Sequence, residues 1–143
     1  MREILFRGKT FEGEWIVGYY ANGKWYLDEK ELHFIIPRDS TIFPHSEIDY
    51  ELVVPETVGQ YTGLTDKNGT KIFEGDIVSA GYGELKKCGV VFYYERGAKF
   101  GIRENSGYDN LSLLFDQVIE QWNIKVIGNI HDNAELMRKE SEK

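Results

Sequence analysis

The sequence contains few of the residues from which many functional sites are built. There is one cysteine among 143 residues, Cys88, so no disulfide can form within the chain, and a reducing cytoplasm is the expected location. None of the three histidines has a second histidine, cysteine, aspartate or glutamate at a standard ligand spacing except by accident, as in His131-Asp132, so we expect neither a metal site nor another cofactor. No apolar run is long enough to span a membrane, and the charged first residues do not resemble a signal peptide.

Catalytic motifs are missing as well. Asp66 and the turn after it begin like a calcium-binding loop, but Ile77 stands where that loop requires a glutamate. Glu74 and Asp76 form a carboxylate pair on a turn, which either holds the local backbone or performs acid–base chemistry in a cleft. We favour the first interpretation, predict that the chain is not an enzyme and name no catalytic residue. An enzyme with a cryptic carboxylate site is the last of the alternatives.

Basic residues are the minority, with 17 against 24 acidic ones and a net charge of −7. This balance argues against a general nucleic-acid binder and against a protein that binds anionic membranes. The acidic excess lies mostly in residues 1–56, which carry 11 acidic and 6 basic residues, whereas residues 57–143 carry 13 and 11. The second half is therefore close to neutral, and a local basic patch can form there.

Aromatic residues are abundant at 14%, and most are tyrosine or phenylalanine, which favour β-strands. A first strand is predicted over Arg2–Lys9 and a second over Glu14–Tyr20. Asn22-Gly23 then predicts a type I′ hairpin turn, because both residues of that turn need positive φ, and Trp25–Leu27 would return as the third strand of a meander. The residues expected in a core or a subunit interface are Trp15, Trp25 and Trp122.

The rest of the chain is predicted to be mainly β. A composition shift near Pro55–Gly59 suggests a boundary between an N-terminal β-meander region, residues 1–56, and a second region, residues 57–143, and the two can form one compact unit. Further strands are predicted at His33–Pro37, Tyr50–Val54, Ile77–Val78, Lys87–Tyr94, Lys99–Arg103 and Lys125–Ile130.

Two short helices are predicted in the second region. Apolar residues recur at helical spacing over residues 111–122. A terminal helix is predicted from Ala134 to about Lys139, because Asp132 or Asn133 can accept hydrogen bonds from its first-turn N–H groups.

Residues 60–78 hold two turns flanked by short apolar strands. Asp66-Lys67-Asn68-Gly69 is typical of a hairpin turn with Gly69 at positive φ, and Glu74-Gly75-Asp76 predicts a sharp bend. We therefore interpret this stretch as a fold signature that sets strand register. Its defining residues are Gln60, Tyr61, Gly63, Leu64, Asp66, Asn68, Gly69, Glu74, Gly75 and Asp76.

Three motifs make the sequence resemble the YopX protein family of phages and prophages. They are Arg7-Gly8-Lys9 with Gly13–Gly18, the signature between residues 60 and 77, and Val126–Ile130 followed by Asn133–Leu136. The resemblance implies a C-terminal half folded as an SH3-like small barrel, an N-terminal meander packed beside it, and a homo-oligomer. The family is uncharacterised and supplies no catalytic residue.

Basic and aromatic residues interleave between positions 86 and 103. Small barrels bind nucleic acid on such surfaces, because bases stack on aromatic rings beside cations that pair with phosphate. The alternative is a solvated strand face, since Glu84, Glu95 and Glu104 dilute the positive charge. The possible binding face comprises Lys86, Lys87, Phe92, Tyr94, Arg96, Lys99 and Arg103.

The function predicted from these observations is a non-enzymatic module for protein binding or self-assembly in the bacterial cytoplasm. The expected partners are a second copy of the chain and an unidentified host or phage protein. We do not expect the chain to bind a membrane. The first alternative is a nucleic-acid-binding accessory protein that uses the face between Lys86 and Arg103.

Overall fold

The computed structural model describes residues 1–39, 49–104, 111–114 and 123–137. Within these ranges the chain is mainly β, as predicted, and its paired strands are antiparallel. It forms two compact units, Met1–Tyr61 and Thr62–Lys143, here called the N-terminal and C-terminal units. The strands are β1 Phe6–Lys9, β2 Trp15–Lys24, β3 Glu31–Pro37, β4 Glu51–Leu52, β5 Gly59–Thr65, β6 Lys71–Phe73, β7 Asp76–Tyr82, β8 Leu85–Tyr94, β9 Lys99–Arg103, β10 Leu111–Leu114 and β11 Lys125–Asn129.

The N-terminal unit is built around β2, which pairs antiparallel with β1 on one side and with β3 on the other. β4 extends the sheet beyond β3, and the first residues of β5 pair with β1. Gly18 lies where β2 faces both neighbours, opposite Phe6 and Pro37. A Cβ atom at Gly18 would come 1.9 Å from the Ile36 carbonyl oxygen, so this position requires glycine.

The first hairpin differs from the sequence prediction. β2 runs straight through Asn22-Gly23, and Asn22 pairs with His33. The chain reverses instead after Trp25, whose N–H donates to the Lys30 carbonyl at 2.8 Å, and Glu29 takes the left-handed conformation with φ 57°. The predicted turn was wrong because continued pairing with β3 outweighs the local preference of Asn-Gly. The predicted returning strand, Trp25–Leu27, is part of the loop.

Among the described residues of the N-terminal unit, the fully buried hydrophobic side chains are Leu5, Ile35 and Val53. A 3₁₀ turn at Pro55–Thr57 follows β4 and is fastened to β1, because the Lys9 N–H donates to the Thr57 hydroxyl at 2.8 Å. This bond fixes the end of the unit before the chain enters β5.

The C-terminal unit contains a five-stranded sheet in the order β10-β9-β8-β7-β11, with β6 next to β5. A tight turn at Gly83-Glu84 joins β7 to β8, so β7 extends further into the predicted Ala80–Glu84 loop than expected. β8 and β9 are joined by a 3₁₀ turn at Glu95–Gly97. The buried cluster of this unit is Ile72, Val78, Ala80, Val91, Ile102 and Ile124.

The predicted helix over residues 111–122 is wrong at its start. Leu111–Leu114 is strand β10, with Leu111 opposite Arg103 and Leu114 opposite Gly101. An apolar run this short fits a strand as well as a helix, and β9 presents an edge whose backbone groups it can pair with. Residues 115–122, and Trp122 with them, lie outside the described residues.

The predicted terminal helix falls partly within the described residues. Residues 135–137 are helical, and the continuation towards Lys139 lies outside them. Asn133 accepts through Oδ1 from the Asn129 N–H at 3.2 Å, so its side chain holds the preceding turn. None of the described helices is long and apolar enough to cross a membrane.

Candidate functional site

The turn after β5 is organised by one buried carboxylate. Asp66 is 7% exposed, and its Oδ1 accepts from the N–H groups of Asn68 and Thr70, both at 2.9 Å. Its Oδ2 accepts from the Val126 N–H in β11 at 3.0 Å. Burial alone would raise the pKa of Asp66, but these three hydrogen bonds and nearby Lys125 outweigh it and lower the pKa. Asp66 is therefore an ionised tie between the turn and β11.

The Glu74-Gly75-Asp76 bend is also held by its own side chains. Asp76 is buried, and its Oδ2 accepts from the Phe73 N–H at 2.8 Å. Gly75 has φ 86°, donates to the Val91 carbonyl and accepts from the Ile130 N–H, each at 2.9 Å. The bend thus connects β8 and the end of β11, and Asp76 supports the local backbone as predicted.

The remaining signature residues are spread along the β5 hairpin. Gln60 pairs with Phe6, and the Tyr61 N–H donates to the Leu5 carbonyl at 2.8 Å. Leu64 packs against the core cluster of the C-terminal unit. Gly63 and Gly69 both have positive φ, at 89° and 81°, so the predicted turn geometry at Gly69 is confirmed.

Five of the seven residues in the predicted binding face share one side of the sheet. Strand alternation puts Lys86, Phe92 and Tyr94 of β8 on that side, and pairing puts Lys99 opposite Tyr94 and Arg103 opposite Val90. The Arg103 guanidinium carbon lies 4.3 Å from the centre of the Phe92 ring. We call these five residues the β8–β9 face.

The other two predicted residues are elsewhere. Lys87 alternates to the opposite side of β8, where its Nζ lies 3.2 Å from the Glu104 carboxylate. Arg96 is exposed on the 3₁₀ turn between the two strands. A hollow of about 250 Å³ lies on the β8–β9 side, lined by Val90, Arg103, Glu104, Ile130, Ala134 and Met137.

A second basic and aromatic surface, which the sequence reasoning missed, lies on the N-terminal unit. Register puts Arg7 opposite Val17 and Lys9 opposite Trp15, all on one side of the sheet. The cationic groups of Arg7 and Lys9 lie 4.8 and 5.9 Å from the Trp15 ring centre. The period-two patterns Arg7-x-Lys9 and Trp15-x-Val17-x-Tyr19 carried this signal, but of these residues only Trp15 was assigned a role, in a core or a subunit interface.

This surface continues across the sheet as exposed apolar side chains. Tyr19 and Tyr50 are 50% and 58% exposed, and Phe34 packs edge-on against Tyr50 with ring centres 5.5 Å apart. None of the described strand residues that share this side of β1–β4 is acidic. The outer sheet face, as we name it, comprises Arg7, Lys9, Trp15, Val17, Tyr19, Phe34, Tyr50 and Leu52.

The loop between β2 and β3 exposes three apolar residues in succession. Trp25 is exposed, Tyr26 is 80% exposed and Leu27 is 70% exposed. Asp28 and Glu29 follow and are exposed too, and Asp28 Oδ1 accepts from the Lys30 N–H at 3.0 Å. We call residues 25–29 the hairpin tip.

On the other side of the N-terminal sheet, Tyr20, His33 and Glu31 are arranged in series. The Tyr20 hydroxyl hydrogen-bonds His33 Nδ1, and His33 Nε2 lies 3.5 Å from Glu31 Oε1. Burial and the charge of Glu31 raise the pKa of Tyr20, which keeps the phenol protonated, whereas a nucleophile needs the opposite shift. No group of three or more His, Cys, Asp or Glu residues in the described part of the chain could hold a metal ion.

Comparison with known proteins agrees with the fold. The family model described as YopX protein matches residues 5–138. Among solved structures, the chain is similar to the crystal structure of protein EF1440 from Enterococcus faecalis, with a TM-score of 0.57 and 24% identity over 96% of this chain and 99% of that one. At this identity the likeness shows the fold alone. No curated protein matches the chain.

Proposed function

The chain belongs to the YopX protein family, and from that premise we propose that it is a non-enzymatic module for protein binding, chiefly self-assembly. The exposed apolar surface of the N-terminal unit carries this proposal. An exposed tyrosine, valine or leucine leaves apolar area in water, and burying one such side chain contributes about 1.5–3 kcal/mol. Contiguous exposed apolar surface therefore marks an interaction site.

The proposal extends to origin and location. A phage or prophage source and the bacterial cytoplasm are supported by the motif resemblance and by the single cysteine. The non-enzymatic part is supported by the carboxylates of the signature, because Asp66 and Asp76 accept hydrogen bonds from nearby backbone N–H groups. Hydrogen bonding of this kind fits the interpretation that these carboxylates hold their turns.

Size-exclusion chromatography with light scattering tests the self-assembly part. We expect a mass above that of one chain at micromolar concentration, and a mass that falls on dilution, since association follows mass action. A single monomeric species throughout the micromolar range contradicts the proposal.

Nucleic-acid binding is the second candidate, and the β8–β9 face favours it. Arg103 stacked on Phe92, with Lys99 near it and Lys86 further along the same side of β8, resembles the cation and aromatic pairs on which single strands bind. The charge near this face is mixed, because Glu104 lies at the edge of the adjoining hollow.

Two adjacent lysines provide a matched test of this candidate. Lys86 and Lys87 lie on opposite sides of β8, so Lys86→Glu and Lys87→Glu make the same charge change on different faces. If the β8–β9 face binds, fluorescence anisotropy with single-stranded DNA and RNA at low salt should show Lys86→Glu weakening binding by roughly tenfold and Lys87→Glu changing it little. Equal effects of the two variants, or no binding by the wild type at low salt, exclude the β8–β9 face as a nucleic-acid-binding surface.

A further inference from the structure

We propose that the chain assembles head to tail, with the hairpin tip of one copy docked on the outer sheet face of the next. This inference rests on the proposed self-assembly and identifies the two surfaces that meet.

The two surfaces are complementary in chemistry. The hairpin tip presents Trp25, Tyr26 and Leu27 followed by Asp28 and Glu29. The outer sheet face presents apolar side chains beside Arg7 and Lys9, and among the described strand residues on that face there is no carboxylate. Docking the tip on the face buries apolar area on both sides and brings carboxylates close to cations.

The same distribution of charge disfavours the symmetric alternatives. Two outer sheet faces packed against each other would offer Arg7 and Lys9 no carboxylate from the other copy, because the described strand residues on this face include none. Two tips packed against each other would bring together two copies of Asp28 and Glu29, whose charge Lys30 offsets only in part. The first arrangement gains no ion pair and the second opposes like charges, so the contact between different surfaces is favoured.

The tip cannot reach the face of its own chain. The part of the face nearest the tip is Phe34, which pairs with Ala21, and the face extends from there to Trp15 at the far end of β2. β2 is paired along this length with β1 or β3, which keeps the hairpin from folding back. Each copy therefore offers one tip and one face to other copies, and such a heterologous contact forms either a closed ring or an open chain.

Complementation between two variants tests the inference. The tip variant is Tyr26→Ser with Leu27→Ser, and the face variant is Val17→Thr with Tyr19→Ser. All four residues are exposed, so both variants should keep the fold, which circular dichroism and thermal unfolding check. We expect each variant alone to associate at least about tenfold more weakly than the wild type, because an interface anchor is lost.

The decisive sample is the mixture of the two variants. The face variant keeps an intact tip, and the tip variant keeps an intact face, so an equimolar mixture should form one-to-one complexes that grow no further. Light scattering and sedimentation velocity measure their mass. Mixed complexes at the wild-type affinity support the inference, whereas a mixture as weakly associated as its components overturns it.

The wild type and a control variant separate the remaining outcomes. Phe11→Ser removes an equally exposed aromatic from the turn between β1 and β2, outside both surfaces, and should leave assembly unchanged. Loss of assembly in Phe11→Ser to the same extent as in the tip variant overturns the inference. A wild type that stays monomeric overturns the self-assembly proposal and this inference together. A wild-type oligomer whose variants do not complement each other overturns the inference alone.

Discussion

At the residue scale, short polar side chains hold the signature together. The pattern Asp66-x-Asn68-Gly69 predicted a turn, and the positive φ of Gly69 confirms it. The pattern did not reveal that Asp66 also accepts from the Val126 N–H, 60 positions along the chain. A local motif encodes its own turn, but the second oxygen of the carboxylate accepts a hydrogen bond from whichever strand the fold brings near it.

Replacement of Asp66 tests this tie. Asp66→Asn keeps the size of the side chain but directs an amide NH₂ or a weaker acceptor at the Val126 N–H, so we expect a loss of about 1–3 kcal/mol in the free energy of unfolding near neutral pH. Chemical denaturation measures it. Glu12→Gln, at an exposed carboxylate in the turn between β1 and β2, is the control and should change stability little.

The cost of Asp66→Asn should depend on pH. Folding lowers the pKa of Asp66, so the unfolded chain holds this proton more tightly than the folded chain does. The stabilisation by the carboxylate is therefore complete above its ordinary pKa of about 4 and is lost as the pH falls below that value towards the folded pKa. The difference in the free energy of unfolding between wild type and variant should narrow on acidification. A difference that is constant from neutral to acidic pH contradicts the role of the Asp66 carboxylate as a tie between the turn and β11.

At the element scale, strand pairing overrode local sequence preference twice. Asn22-Gly23 lies inside β2 because β3 continues to pair with it, and Leu111–Leu114 is a strand because β9 offers an edge. In both cases the local pattern allowed two structures, and only a distant partner selected one. Lys99–Arg103 was predicted with its observed bounds, since a strand that follows a turn directly is defined by local signals.

Gly23 distinguishes the observed strand from the predicted turn. A Cβ atom at Gly23 meets no atom within 4 Å, and Gly23 is not among the residues with positive φ. We expect Gly23→Thr to stabilise the fold by about 0.5–1 kcal/mol, because it lowers the entropy of the unfolded chain and suits a strand.

The matched control is Gly69→Thr. Gly69 has φ 81°, which a β-branched residue adopts only under strain, so this variant should lose stability. Thermal unfolding of both variants measures these two changes in stability. Destabilisation by Gly23→Thr as large as that by Gly69→Thr would mean that residue 23 occupies a turn.

At the scale of the whole molecule, charge and exposed surface bear on function together. A net charge of −7 keeps copies apart at long range, so association needs a local surface that overcomes this repulsion. The outer sheet face combines cations with apolar area in a unit that is otherwise acidic, and the hairpin tip combines apolar area with carboxylates. The SH3-like barrel implied for the second region stays a prediction.

The sequence by itself determined the β class, the family, the turns at Asp66–Gly69 and Glu74–Asp76, and the small number of groups suited to catalysis. These follow from composition and from contacts between near neighbours, which a linear pattern encodes. Only the tertiary structure decided where the first hairpin turns, which of Lys86 and Lys87 shares a side of β8 with Phe92, and that Arg7, Trp15 and Tyr19 share one face. The physical reason is strand register, because a shift of one residue moves every side chain to the other face.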